Sequence, residues 1–152
     1  MGIAAAAIVD LDIIKKSDEL KNLLRTCSVP QPLINTLGTL RGESLKLFED
    51  EELNPKKDGI DKLPPKKREA VKSLSSSLSV YGIFMVPCGE LEFWLGHLAV
   101  SGHGPDWLVR VFEKMGSDPD SGDYIKPGQG DVWDFIRNIA HWISDPNRLG
   151  MP

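Results

Sequence analysis

The run from Ile3 to Val9 is apolar throughout and stops abruptly on two aspartates, Asp10 and Asp12, one residue apart. An unbroken apolar stretch of that length predicts a strand covered on both faces, because a strand with one wet face alternates. Alanine's preference for helix pulls the other way, but seven residues closing on Ile8-Val9 favour the strand. Side chains two apart on a strand point to the same side, so Asp10 and Asp12 are expected next to each other where the strand leaves its sheet. Two adjacent carboxylates there are costly unless a positive charge lies between them. A hard divalent cation with oxygen ligands, Mg²⁺ or Mn²⁺, meets that need. The alternative reading is that both aspartates simply open a polar loop.

A second junction of the same kind follows. Ile83 to Val86 reads as another short buried strand, cut off by Pro87, with a Cys88-Gly89 turn and two further acids, Glu90 and Glu92. A helix is expected from Glu90 to Leu95. Positions 90 and 92 of a helix face different ways, so Glu92 is the favoured partner for the aspartate pair, with Glu90 adjacent. The competing reading is that both glutamates complement the helix dipole, worth about 0.3–1 kcal/mol each.

Between the two strands the periodicity is helical. Ser17 is a plausible cap for a helix carrying Asp18 and Glu19 in its first turn and Leu20, Leu23 and Leu24 on its apolar stripe. Pro32 to Leu53 predicts two short helices broken near Gly42. The segment 50–65 is charged and carries Pro55, Pro64 and Pro65, which predicts a mobile surface loop. Pro64-Pro65 then opens a helix running to about Tyr81. Strand, helices and strand in that order predict an α/β domain with a parallel sheet.

Residues 1–100 therefore form the expected core, and 101–152 a helical extension packed on the same domain. In that extension Asp106 to Met115 should turn Trp107, Leu108, Val111 and Phe112 inward. Asp131 to Ser144 should do the same with Trp133, Ile136, Ile139, Ala140 and Ile143. A chain of 152 residues suffices for one domain with a real core. His97 and His103 lie in a glycine-rich loop at no metal-ligand spacing.

A formal charge of −4 argues against holding nucleic acid by charge alone. Basic residues concentrate only at 56–72, where Lys66, Lys67 and Arg68 are, with Arg148 in the C-terminal tail, the candidate phosphate contacts, the alternative being a solvated face. Cys27 and Cys88 match no ligand pattern and read as free thiols. With no visible signal peptide and no run near the ~20 apolar residues of a membrane span, the expected location is the cytoplasm, away from any membrane.

The wording of these stretches resembles a Toprim domain, the topoisomerase–primase metal-binding fold. Ala-Ala-Ile-Val-Asp-Leu-Asp is similar to its aspartate strand. Gly-Ile-Phe-Met-Val-Pro-Cys-Gly-Glu-Leu-Glu resembles the later strand and acidic turn of the OLD-type (overcoming lysogenization defect) ATP-dependent endonucleases and related AAA-type ATPases. The segments Gly102 to Trp107, Gly130 to Trp133 and Asn147 to Gly150 are similar to the C-terminal end of such ATPases. The resemblance implies a Rossmann-like parallel sheet with flanking helices, incomplete here, ending in a helical C-terminal part. It implies Mg²⁺ or Mn²⁺ held by Asp10, Asp12 and Glu92, with Glu90 where the family varies, and phosphodiester hydrolysis in DNA. It also implies an ATPase domain in cis or in trans.

Three departures qualify that picture. The glutamate strand that opens a Toprim domain has no counterpart, no ATPase domain is present, and a lysine expected near the C-terminal end has only Arg148 in its place, which cannot readily give up a proton. The expectation is a C-terminal piece with little nuclease activity of its own. The alternative is a non-catalytic interaction or regulatory module that docks on an ATPase partner or on itself. Loss of a strand would leave Ile3 to Val9 at a sheet edge without lysine or proline, which predicts self-association.

Overall fold

The computed structural model describes residues 4–126 and 131–151. It is mixed α/β, with a two-stranded parallel sheet, β1 (Ala7–Asp10) and β2 (Ile83–Val86), paired in the register Ala7–Ile83, Ile8–Phe84, Val9–Met85 and Asp10–Val86. A 3₁₀ turn, Leu11–Lys15, leads from β1 into α1 (Ser17–Thr26) and α2 (Gln31–Asp50). Then come α3 (Pro55–Asp58), a 3₁₀ turn at Ile60–Lys62, and α4 (Pro65–Ser79), which delivers the chain to β2. Beyond it lie α5 (Leu91–Trp94), a 3₁₀ turn at Gly96–Leu98, α6 (Gly104–Met115) and α7 (Asp131–Ser144).

The sheet separates two apolar regions by strand alternation. Ala7, Val9, Ile83 and Met85 look into the main core, where Leu11, Ile14, Leu20, Leu24, Leu37, Phe48, Val71, Leu74 and Leu78 are buried. On the opposite face Phe84 meets the rings of Phe135 and Trp142 of α7 edge-on, with centroids 6.0 and 6.2 Å away. Trp142 also donates its indole N–H to the Val80 carbonyl at 3.1 Å, tying α7 to the entry of β2. A satellite cluster of Leu98, Trp107 and Val111 lies under α6.

Several expectations need correction. The strand occupies Ala7–Asp10, while Ala4 to Ala6 are irregular and Ile3 falls outside the described residues. Coverage on both faces holds for β2, which is buried throughout, but Ile8 of β1 is 55% exposed. Ser17 is the first residue inside α1, and the N-cap position falls on Lys16, whose side chain makes no cap bond. The break near Gly42 does not occur: α2 is one helix of 20 residues. Gly38 and Gly42 each cost about 1 kcal/mol against alanine, yet Ile34, Leu37, Ser44 and Phe48 recur at helical spacing and are buried, so tertiary packing overrides the local cost.

The segment 50–65 is built into the fold. Pro55, Ile60 and Leu63 are buried in it, and Asn54 caps α3 by accepting the Lys56 N–H at 3.0 Å. Its charges bind it down: Glu51 pairs with Lys67 at 2.8 Å and Asp61 with Arg68 at 3.3 Å. Leu108 and Phe112 of α6 do not turn inward; they are 38% and 62% exposed. Ile136, Ala140 and Ile143 of α7 are exposed too. No helix among the described residues is long and apolar enough to cross a membrane.

Candidate functional site

Parallel pairing brings the carboxyl ends of both strands to one edge of the sheet, the position where open α/β sheets place their ligands. Asp10 is the last residue of β1 and stands opposite Val86, the last of β2. From Val86 the chain turns through Pro87-Cys88-Gly89, with Gly89 at φ +105, where an L side chain is strained. Three backbone bonds hold this turn. Gly89 O accepts from Leu11 N at 2.9 Å, Pro87 O from Ile60 N at 2.8 Å, and Val86 O from Gly89 N at 3.3 Å.

Glu90 then leaves in an extended conformation, so the helix expected from Glu90 to Leu95 shrinks to the single turn Leu91–Trp94. Asp10, Glu90 and Glu92 line one open cleft of about 920 Å³ together with Lys56 and His103. Gly102, Gly104, Pro105, Trp107 and Leu108, around the start of α6, line it too.

Asp12 is placed differently from the strand argument. The backbone curls into the Leu11–Lys15 3₁₀ turn immediately after Asp10, so the two-residue repeat that would set the aspartates side by side ends at residue 10. Asp12 still lies near enough to act on Asp10 through space. The Asp10 carboxyl is pushed above its ordinary range by burial first, then by the charge of Asp12, against the pull of Lys56, with smaller pushes from Glu90 and Glu92.

Lys56 is the site residue that sequence reasoning missed. Its ammonium lies 3.1 Å from the Glu90 carboxylate, and Glu90, Asp10 and Asp12 together hold it more firmly protonated than a free lysine. The signal that could have found it is local. Asn54-Pro55 is a helix-start pair, a capping amide followed by proline at the first helical position, and the turn it nucleates presents Lys56. His103, at the N-cap of α6, is the second addition.

Carboxylate oxygens are the right donors for Mg²⁺ or Mn²⁺, and Asp10, Glu90 and Glu92 offer them from one cleft without being drawn around a single point. Glu90 is engaged by Lys56, and among the described residues no three His, Cys, Asp or Glu side chains are grouped to hold a metal ion. As arranged, the residues do not fit a two-metal centre.

The candidate phosphate contacts are partly committed elsewhere. Lys67 and Arg68 make the ion pairs to Glu51 and Asp61, and Arg68 also donates to the carbonyls of Asp61 and Leu63 at 2.9 and 3.2 Å. Lys66 is exposed. Arg148 lies over the Trp142 ring, 5.9 Å from its centroid, and donates to the Asp145 carbonyl at 3.3 Å.

The raised Asp10 carboxyl has a thermodynamic consequence. A carboxyl that binds its proton more tightly folded than unfolded costs the native state stability above the unfolded pKa, near 3.8, and the cost disappears below it. Asp10→Asn is therefore expected to raise the melting temperature at pH 7, with the gain vanishing as the pH falls below 3.8. Melts of both proteins across that range check it, and a variant less stable at pH 7 would make Asp10 a structural residue of the turn.

No protein-family model, no curated protein and no solved structure matches this chain.

Proposed function

We propose that this chain is a Toprim-like domain related to the OLD-type nucleases. Its cleft at the strand ends binds Mg²⁺ or Mn²⁺ weakly, and the chemistry such a cleft would serve is metal-dependent hydrolysis of DNA. The observation that carries the reading is the convergence of Asp10, Glu90 and Glu92 on one cleft at the carboxyl ends of two parallel strands. Lys56 fits it as well: a cationic side chain already neutralises part of a cluster that would otherwise repel itself.

Within this reading the chain's own residues position and neutralise. Asp10 is presented rigidly by the strand, and Glu90 is held by Lys56. Glu92, on the following helical turn, supplies a third carboxylate without an ion pair among the described residues.

The test is thermal stability against Mn²⁺. A ligand that binds only the native state at ten times its dissociation constant adds about 1.4 kcal/mol, or about 3–6 °C for a domain of this size. That rise is expected with millimolar Mn²⁺, and it should disappear in Asp10→Asn and Glu92→Gln. No rise in the unmodified protein removes the metal-binding reading.

A second reading, a non-catalytic interaction module, is favoured by a separate observation. Ile8, Leu91, Leu95, Leu108, Phe112 and Ile136 line an entirely apolar groove of about 290 Å³ on the α7 side of the sheet. Exposed apolar surface of this kind marks contact sites in soluble proteins.

A further inference from the structure

Among the described residues the outer edge of β1 is open. Ala7 donates its N–H to Gly82 O at 2.8 Å across the sheet, so alternation turns the N–H and C=O of Ile8 to the opposite side. Among the described residues no strand lies there, and neither backbone group of Ile8 has a hydrogen-bond partner. The edge is also wet, since the Ile8 side chain is 55% exposed. Such a row of unpaired donors and acceptors is complemented by an extended backbone, not by a helix.

We propose that this edge pairs with β1 of a second copy of the chain. The pairing is antiparallel about a two-fold axis at Ile8, and it makes a continuous four-stranded sheet with both β2 strands outermost. A two-fold contact is isologous, so a residue on the axis must be compatible with itself. Ile8 is apolar, and in a hydrogen-bonded antiparallel pair it meets the partner's Ile8 at a Cα separation of about 5.5 Å, exchanging both N–H···O bonds.

Charge selects the direction. Parallel pairing in register would set Asp10 beside the partner's Asp10, next to cleft carboxylates already crowded at Glu90 and Glu92. Antiparallel pairing sets Asp10 opposite the partner's Ala6 and separates the two aspartates by about 14 Å along the strands, beyond the ~8–10 Å reach of exposed charges in physiological salt. The edge carries none of the usual defences: Ala4 to Val9 holds no lysine, proline or charge. The same contact covers surface next to the strand, because Ile8 also forms one wall of the apolar groove that exposes Phe112 and Ile136.

Sedimentation of the full chain from micromolar to several hundred micromolar tests the proposal. Mass is expected to climb from monomer to dimer. Ile8→Lys should weaken association at least tenfold while leaving the melting temperature of the dilute protein unchanged, since the side chain is exposed in the monomer. Ile8→Cys should form a covalent dimer under mild oxidation, its Cα separation falling within disulfide range, with peptide mapping placing the bond at residue 8. Val80→Cys, at a position 50% exposed, should not. A chain that stays monomeric throughout and gives no residue-8 crosslink overturns the proposal. So does a dimer insensitive to Ile8→Lys, which would move the contact away from the β1 edge.

Discussion

Gly89→Ala is expected to destabilise the fold by about 2–6 kcal/mol, combining a backbone strain of about 1–3 kcal/mol with a steric displacement of similar size. At φ +105 an L residue is strained whatever the space around it, and here there is no space. A Cβ on Gly89 would collide with the Lys56 carbonyl oxygen, and it would meet the Pro55 carbonyl oxygen at 3.0 Å. Both obstacles are backbone, so α3 itself has to move. Moving α3 withdraws Lys56 from Glu90 and disturbs the seat of Gly59, whose own Cβ position lies 2.8 Å from the Cys88 carbonyl carbon. Against a total stability of roughly 5–15 kcal/mol for a domain, this is a large fraction. Urea denaturation provides the measurement, with Gly96→Ala as the control. Nothing lies within 4 Å of a Cβ at Gly96, so that change should stay within about 0.5 kcal/mol. A neutral Gly89→Ala would mean the turn relaxes freely and does not fix the geometry of the cleft.

This turn also shows where the sequence is legible. Ile83–Val86 is read correctly to the residue because it is wholly apolar and bounded by Gly82 and Pro87, and the parallel pairing follows from the helical crossover between the strands. That pairing brings the ends of both strands to one edge, and the turn after β2 then carries Glu92 to the cleft that Asp10 lines. Legibility fails where one residue type serves two purposes. Gly42 signals a break in any local scheme, yet α2 runs through it, because the buried stripe is satisfied on both sides of the glycine. Asp12 sits at strand spacing from Asp10, but no local rule announces that the backbone changes to a 3₁₀ turn at Leu11, whose side chain is drawn wholly into the core. On α6, Leu108 and Phe112 have the right period for burial, yet Trp107 and Val111 take the core-facing positions and leave those two at the groove. Lys56 was hidden by its surroundings: among so many charges at 50–65, nothing in composition distinguishes the one lysine that reaches Glu90.

The segment 50–65 offers the sharpest contrast between the two readings. If it were a mobile surface loop, Leu63→Ala would change stability by no more than about 0.5 kcal/mol. In the fold Leu63 is 1% exposed and belongs to the same core as Phe48, Leu74 and Ile83. Truncating a buried leucine removes its transfer free energy and leaves a cavity, at a cost of about 2–5 kcal/mol depending on how far the site can collapse. Collapse is restricted here. Leu63 is bracketed by its own N–H bond to Ile60 O at 3.1 Å and by Arg68, which donates to the Leu63 carbonyl at 3.2 Å while pairing with Asp61. The expected loss is therefore toward the upper half of that range. Because Ile60 N in turn bonds Pro87 O, the damage should reach the strand-end turn and with it the cleft. Hydrogen exchange separates the outcomes. Leu63→Ala should speed exchange at Ile60 and Gly89 together with the 50–65 amides. A variant of wild-type stability, with exchange changed only around residue 63, would return the segment to the status of a surface loop.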